Sequence, residues 1–458
     1  MTADLRATPR RRGSARRLRR APDRGSVIIL VIWAVAVAAL VAAAVQLLTY
    51  RQAMLGYDVA GRVRARWAAR AGVENTIASL EYNSENPLSD DPFALYDDLS
   101  FVSAATMGDG ESSYSIVHHL EGRNFNGPKD EAGRANINRE GLPIYDLLED
   151  MSPDQAAAIT DWVDEDDEPS MFGAEEEFYR GRYSYSPRNG LLRSLAELEL
   201  IAGVWPHYVR GEDFNLNGRL DPNENDGEQS LPDDSPDDYL DTGWSRFLTA
   251  YSVDHGSSLT GLPRIHLRRA MPEDVMERLG VTEMQARALI SFGKNPENVL
   301  ELLLTTPLAN ISPDGSISQE EVTEGLQPLT TEQLKFALSE LRIEPEHVRR
   351  PGRINVNTAP PDLIRELLDL QGFDEVVADE LIHRRNGEGL LSLVDISSLT
   401  VELTSSQLNQ LATLFTTTSD VFSISCVGRD TATGAESEII VVVDRSTLPL
   451  RIVEYREQ

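Results

Sequence analysis

The chain has 458 residues, 41% of them hydrophobic, with 43 Lys+Arg against 74 Asp+Glu and a formal net charge of −31. That length suits roughly two or three domains with a sizeable core, and the acidity opposes a phosphate backbone, so a nucleic-acid-binding role is disfavoured without a local basic patch. The single cysteine, Cys426, excludes an intramolecular disulfide framework and Cys-rich zinc sites, and the histidines form no His-Glu-x-x-His pattern.

At the N-terminus, Arg6, Arg10, Arg11, Arg12, Arg16, Arg17, Arg19, Arg20 and Arg24 stand against only Asp4 and Asp23. From Ser26 to Tyr50 no residue is charged, and a helix of that length reaches about 37 Å, enough to span a bilayer. The positive-inside rule then puts residues 1–24 in the cytoplasm and the acidic body across the membrane. An ordinary signal peptide or uncleaved anchor is the alternative, but the apolar run is longer than a signal core and no proline falls between Pro22 and Pro87. Beyond Arg51 the pattern turns amphipathic through Met54, Leu55, Val59, Val63, Trp67, Val73, Ile77 and Leu80. One helix from Ser26 to Tyr82 is expected.

A basic leader ending at Gly25, followed by a helix that is first apolar and then amphipathic, resembles the class III leader and N-terminal helix of type IV pilins and type II secretion pseudopilins. The resemblance implies cleavage by a prepilin peptidase between Gly25 and Ser26. The fifth mature residue is then Leu30, where most pilins carry glutamate, and lacking that glutamate resembles the large minor pseudopilin K of general secretion systems.

After a polar stretch, Ser112–Leu120 reads as a strand leading into Gly133-Arg134-Ala135-Asn136-Ile137-Asn138, and a near-copy returns at Gly352-Arg353-Ile354-Asn355-Val356-Asn357. Between them lie amphipathic helical segments at Ile144–Leu148, Ser152–Val163, Ser194–Ala202, Pro272–Phe292 and Thr331–Leu341. Val421–Val427, Ser437–Val443 and Leu450–Tyr455 alternate as strands do. The expected fold is α+β: a pilin-like long N-terminal helix packed on an antiparallel sheet, interrupted by a large α-helical insert. The expected boundaries are 1–25 for the leader, 26–50 for the transmembrane half of the helix, 51–138 for its amphipathic half and the first strands, 139–350 for the insert, 351–420 for a helix-hairpin-helix-like segment and 421–458 for the last strands. The order of these segments resembles the pseudopilin K family, the stretch after Val204 excepted.

Two constellations suit a hard cation. Asp213-Phe-Asn-Leu-Asn-Gly-Arg-Leu-Asp-Pro-Asn-Glu224 fills every slot of a twelve-residue calcium loop: Asp213, Asn215, Asn217, the Arg219 carbonyl, Asp221 and Glu224, with Gly218 at the turn. Helices flanking it are not evident, so an isolated loop is expected. The second is the carboxylate cluster of Asp161, Asp164, Asp166 and Glu175, self-repelling unless a cation or solvent relieves it. Calcium in the helical insert is also what the pseudopilin K resemblance implies. No nucleophile triad or phosphate loop accompanies either cluster, and catalysis is not expected.

Asn357-Thr358-Ala359, Leu363–Leu370, Gly372-Phe373-Asp374 and Val377–Arg385 resemble the helix-hairpin-helix module of competence-type DNA receptors. A DNA-binding hairpin needs backbone N–H groups free of negative charge, and here Asp374 replaces the second glycine. A packing or protein-contact role is expected, with no nucleic acid. The function implied by the resemblance is that of a minor pseudopilin at the pseudopilus tip, inner-membrane and single-pass, with a periplasmic body and with other minor pseudopilins, the major pseudopilin and prepilin peptidase as partners. A membrane-anchored calcium-dependent binding protein or a competence-type DNA receptor is the competing reading.

Overall fold

The computed structural model describes residues 24–458 apart from 88–90, 121, 140–143, 149–150, 255–257, 259, 261, 295–298, 300–301, 303–327, 344–349 and 398. The arginine leader through residue 23 lies outside the described residues. In chain order come helix α1 (Arg24–Glu85), α2 (Ala94–Phe101) and strands β1 (Ala104–Met107), β2 (Ser112–Leu120), β3 (Arg123–Asn126), β4 (Lys129–Asp130) and β5 (Ala135–Asn136). Next are α3 (Ile144–Leu147), α4 (Pro153–Val163), α5 (Glu176–Arg182), α6 (Pro206–Arg210), β6 (Leu248–Thr249), β7 (Ile265–His266), α7 (Pro272–Leu279), α8 (Glu283–Phe292), α9 (Thr331–Glu340) and β8 (Leu341–Arg342). The chain ends with β9 (Ile354–Asn355), α10 (Pro361–Leu370), α11 (Glu375–Gly387), α12 (Leu393–Ser397), α13 (Ser405–Leu414), β10 (Phe415–Thr416), β11 (Val421–Asp430), β12 (Glu436–Asp444) and β13 (Arg451–Glu457).

Two compact units are present, Met1–Ala60 and Gly61–Gln458. The described part of the first is helical, and its residues from Val27 to Tyr57 are exposed. With a mean hydropathy of 3.0 over its most apolar 18-residue window, this helix is long and apolar enough to cross a membrane.

In the second unit the amphipathic end of α1 covers an antiparallel sheet ordered β1-β2-β11-β12-β13, with β3 on β2 and β4 on β11. The sheet joins distant parts of the chain, since Cys426 on β11 pairs with both Ile116 on β2 and Ile439 on β12. Helix and sheet meet through small residues. A Cβ on Gly428 would stand 1.9 Å from the Ala65 carbonyl, and one on Gly72 would stand 2.5 Å from Cys426 Sγ. This close approach buries Ala65, Ala68, Ala69, Val73 and Leu80 of the helix and Ile116, Phe422, Ile424 and Val441 of the sheet. At the margin Arg64 pairs with Asp430 at 2.6 Å and Arg66 with Glu457. The expected α+β architecture is therefore present, with the helical insert leaving the sheet at β4 and returning at β11.

The insert is built from three copies of one motif. Each enters on a two-residue strand preceded by arginine (Arg134, Arg264, Arg353), passes through helices and returns on a parallel strand: Ala135 opposite Leu248, Ile265 opposite Leu341, Ile354 opposite Phe415. The first and third copies share the same bonds from both asparagines. Asn138 exchanges two hydrogen bonds with the Leu192 backbone, and Asn357 does the same with Leu390. Asn136 and Asn355 each accept from the N–H two residues on, and each donates to a serine, Ser252 or Ser419. In the middle copy His266 and Arg268 occupy the asparagine positions. The last helices of the second and third copies, α9 and α13, start from identical Thr–Gln capping boxes (Thr330 with Gln333, Thr404 with Gln407) and run directly into their return strands. One continuous apolar core runs through all three copies.

Two expected helices differ in detail. Pro272–Phe292 is a pair, because Gly280 at φ 62° ends α7 and Thr282 caps α8. Ser194–Ala202 contains a 3₁₀ turn, Leu195–Leu200, in place of an α-helix.

Candidate metal centres

Helix α4 starts at a capping box, Ser152 with Gln155, and carries Asp161 in its last turn and Asp164 at its C-cap. The chain then returns so that Asp161, Asp164 and Glu175 each bring a carboxylate oxygen within 4.8 Å of the others. Gly173 makes the return possible, because a Cβ there would stand 1.9 Å from Asp161 Oδ2. Ser170 N–H donates to the Asp161 carboxylate at 3.1 and 3.3 Å. Both oxygens of Glu175, Oδ1 of Asp164 and Oδ1 of the nearby Asn189 are buried without a hydrogen-bond partner. Burial, then the charges of Asp164 and Asp161, push the Glu175 carboxyl up to about 7. Buried acceptors with no donor are costly unless a cation takes them, and an all-oxygen set without His or Cys suits calcium or magnesium. Asp166 does not join this group: its carboxylate accepts the Glu168 N–H at 2.8 Å and acts on Glu175 only through its charge.

The 213–224 loop is closed differently. Asp213 Oδ1 and Oδ2 accept from the N–H groups of Asn217 and Gly218 at 3.0 and 2.9 Å. Glu224 accepts from Phe214 and Asp221 at 2.9 and 3.0 Å. Asn215 and Asn217 both donate to Asp221 Oδ2, while the Arg219 guanidinium pairs with Asp221 Oδ1 at 3.1 Å. Gly218 has φ 70°, the left-handed conformation required at the turn. Burial pushes Asp213 up to about 6 and Glu224 up to about 8. The spacing and conformation fit a calcium loop, and its carboxylates already find internal donors. Helix α6 is a short one before the loop, and the 3₁₀ turn Pro222–Glu224 ends it.

The loop's twelve-residue spacing is visible in sequence, whereas the Asp161–Asp164–Glu175 grouping depends on a fold-back that spacing does not reveal. The one local signal was the density of acid residues at the end of a helix. At the α10–α11 turn, Asp374 caps α11 by accepting the Val376 N–H at 3.0 Å. A carboxylate thus occupies the position where a phosphate-binding hairpin would leave its N–H groups free.

Residues 142–211 match the family model described as type II secretion system (T2SS), protein K. Over these residues the chain is similar to the type II secretion protein K family. The protein K match covers the first copy's helices and the Asp161–Asp164–Glu175 group, and it stops before the 213–224 loop. Among solved structures, a chain of the GspK-GspI-GspJ complex from the enterotoxigenic Escherichia coli type 2 secretion system is similar at a TM-score of 0.44 and 10% identity, over 89% of this chain and 99% of that one. No curated protein sequence matches.

Proposed function

We propose that this chain is a minor pseudopilin of a type II secretion system, cleaved by prepilin peptidase between Gly25 and Ser26 and placed at the pseudopilus tip, where it helps start assembly. In this reading the helix from Ser26 to Tyr50 holds it in the inner membrane, with the N-terminus cytoplasmic and the body periplasmic. Its partners are other minor pseudopilins and the major pseudopilin, and its role is structural, not catalytic. The observation that carries the reading is the protein K match at residues 142–211, lying in the insert of a chain whose apolar helix becomes amphipathic and covers an antiparallel sheet. A bulky insert favours the tip, since inside a head-to-tail helical stack it would collide with the next subunit. Leu30 in place of a glutamate suits a subunit that has no preceding N-terminal amine to neutralise within the membrane.

Calcium belongs to the same proposal, held at Asp161, Asp164 and Glu175 and at the 213–224 loop. The orphaned oxygens of the first group favour it more strongly than the self-closed loop does. The deciding experiment is the mass and N-terminal sequence of the chain recovered from membranes of cells containing a matching prepilin peptidase. A chain beginning at Ser26 is expected; one retaining the arginine leader, or cut after Tyr50, would overturn the processing and tip assignment together.

A further inference from the structure

Between α2, strands β2–β4 and the start of the third insert copy lies a cavity of about 430 Å³, within the size range of small-ligand sites. Its walls are apolar, with Phe93, Leu99, Leu120, Phe125 and Pro360 among them. Its charges run against the rest of the molecule: in a chain of net charge −31, the ionisable lining is Lys129, Arg134, Arg246 and Arg385 against the single carboxylate of Asp130, with His118 beside them. The negative charge of Asp130 is already shared, because its Oδ2 accepts from Tyr96, Asn355, Thr358 and Ser419. His118 is neutral, held low by burial, and spends Nδ1 on the Gly127 carbonyl at 2.9 Å.

Part of this positive charge is answered inside the protein. Glu131 takes one Arg134 nitrogen and Asp362 pairs with Arg246. Arg134 Nε remains, in a side chain only 7% exposed, buried without a hydrogen-bond partner. A buried guanidinium N–H without an acceptor is costly, and a carboxylate oxygen is the acceptor a guanidinium binds best. Apolar walls beside a cationic side define the complementary molecule.

We propose that this cavity binds a small amphipathic carboxylate, with its apolar body against Leu120 and Phe125 and its carboxylate toward Arg134 and Arg246. Two sources carry that chemistry, a short acyl chain and the C-terminus of a hydrophobic polypeptide. The site is distinct from the Asp161–Asp164–Glu175 centre, meets the 213–224 loop only through Lys129, which lies beside Gly218 and Asp213, and does not depend on the secretion reading.

The test uses the full chain in lipid nanodiscs, with empty nanodiscs as the blank, and calorimetric titration of octanoate against octan-1-ol. Saturable binding of octanoate, one per chain, at least tenfold tighter than octan-1-ol is expected. Leu120→Trp, which fills the apolar wall and touches no ion pair, should abolish it, and Arg246→Gln should weaken it several-fold, both at an unchanged circular-dichroism melt. If Leu120→Trp lowers the melt, Arg246→Gln alone decides. A hydrophobic tripeptide that binds with a free C-terminus and not when amidated identifies a polypeptide end as the source; octanoate binding without tripeptide binding identifies an acyl chain. Equal affinity for octanoate and octan-1-ol, no saturable binding of either, or unchanged octanoate binding in both variants would overturn the proposal.

Discussion

Asn217, the fifth residue of the acidic loop, donates its side-chain amide to both carboxylate oxygens of Glu438 on β12, at 3.1 and 3.3 Å. The loop backbone is held to the same sheet: Arg456 on β13 donates to the carbonyls of Asn215 and Leu216, and His119 N–H on β2 donates to the Gly218 carbonyl at 2.7 Å. The candidate cation loop is thus also a fastening of the insert to the sheet. Glu438→Ala removes the Asn217 contact and the one to Ser425 and should cost about 1–2 kcal/mol. The checks are a lower melting temperature and faster amide exchange at residues 213–218. Unchanged exchange there would mean that Arg456 and His119 hold the loop without it.

The two metal centres should respond oppositely to losing a carboxylate in the calcium-free chain. Glu175 has no donor and faces Asp161 and Asp164, so Glu175→Gln relieves repulsion and should raise the melting temperature in chelator while abolishing calcium binding at that centre. Glu224 accepts two backbone N–H groups and closes its loop. Glu224→Ala should therefore destabilise the chain in chelator by about 1–3 kcal/mol, read as a lower melting temperature, besides weakening calcium binding. Differential scanning fluorimetry with and without calcium reads both signs, and two variants shifting in the same direction in chelator would contradict the distinction.

The pH dependence of the first centre follows from the raised carboxyl of Glu175, at about 7 against an ordinary 4.5. A raised acid binds its proton more tightly folded than unfolded. Its contribution is fully present below pH 4.5 and is lost as pH rises through 7. Calcium needs the ionised carboxylate, so binding should release a proton and weaken as pH falls below 7. Calorimetry in buffers of different ionisation enthalpy measures that proton, and Glu175→Gln should eliminate it.

The insert repeat makes a matched pair of core variants. Asn138→Ala and Asn357→Ala each orphan the N–H and C=O of one leucine, Leu192 or Leu390. Each should cost about 2–4 kcal/mol, with the two values within about 1 kcal/mol of each other if the copies are energetically equivalent. Urea denaturation gives both numbers directly.

The long helix, the strand at Ser112–Leu120, the C-terminal strands and helices α4 and α9 were legible because each shows its own period, whereas α13 and the break between α7 and α8 were not read from the sequence. Other features were hidden by distance along the chain. Asn138 meets Leu192 across an excursion that also carries Asp161 and Glu175, and no local pattern states that Gly173 brings these two carboxylates together. The middle motif copy was obscured by chemistry, since His266 and Arg268 replace the asparagines that mark the other two. Its surviving trace is Arg264-Ile265 followed by Ala270 and Pro272, against Arg353-Ile354 with Ala359 and Pro361.

His118 offers a second pH test, at the cavity. Burial, joined by the nearby charges of Lys129 and Arg134 and by His119, pushes its ring down to about 4 from an ordinary 6.5, while its bond to the Gly127 carbonyl opposes the shift. The folded state therefore binds fewer protons than the unfolded chain between pH 6.5 and pH 4, and stability must fall as pH falls through that window, by at most about 3 kcal/mol from this group. His118→Phe keeps the packing against Phe125, whose ring lies 5.7 Å away, and removes the titration. Acid loss of stability, measured by urea denaturation at pH 7 and pH 4, should be smaller in His118→Phe, with the carboxylates contributing equally to both proteins. Equal losses would show that His118 takes up its proton in the folded state, which requires water at the ring and a cavity wetter than its walls indicate.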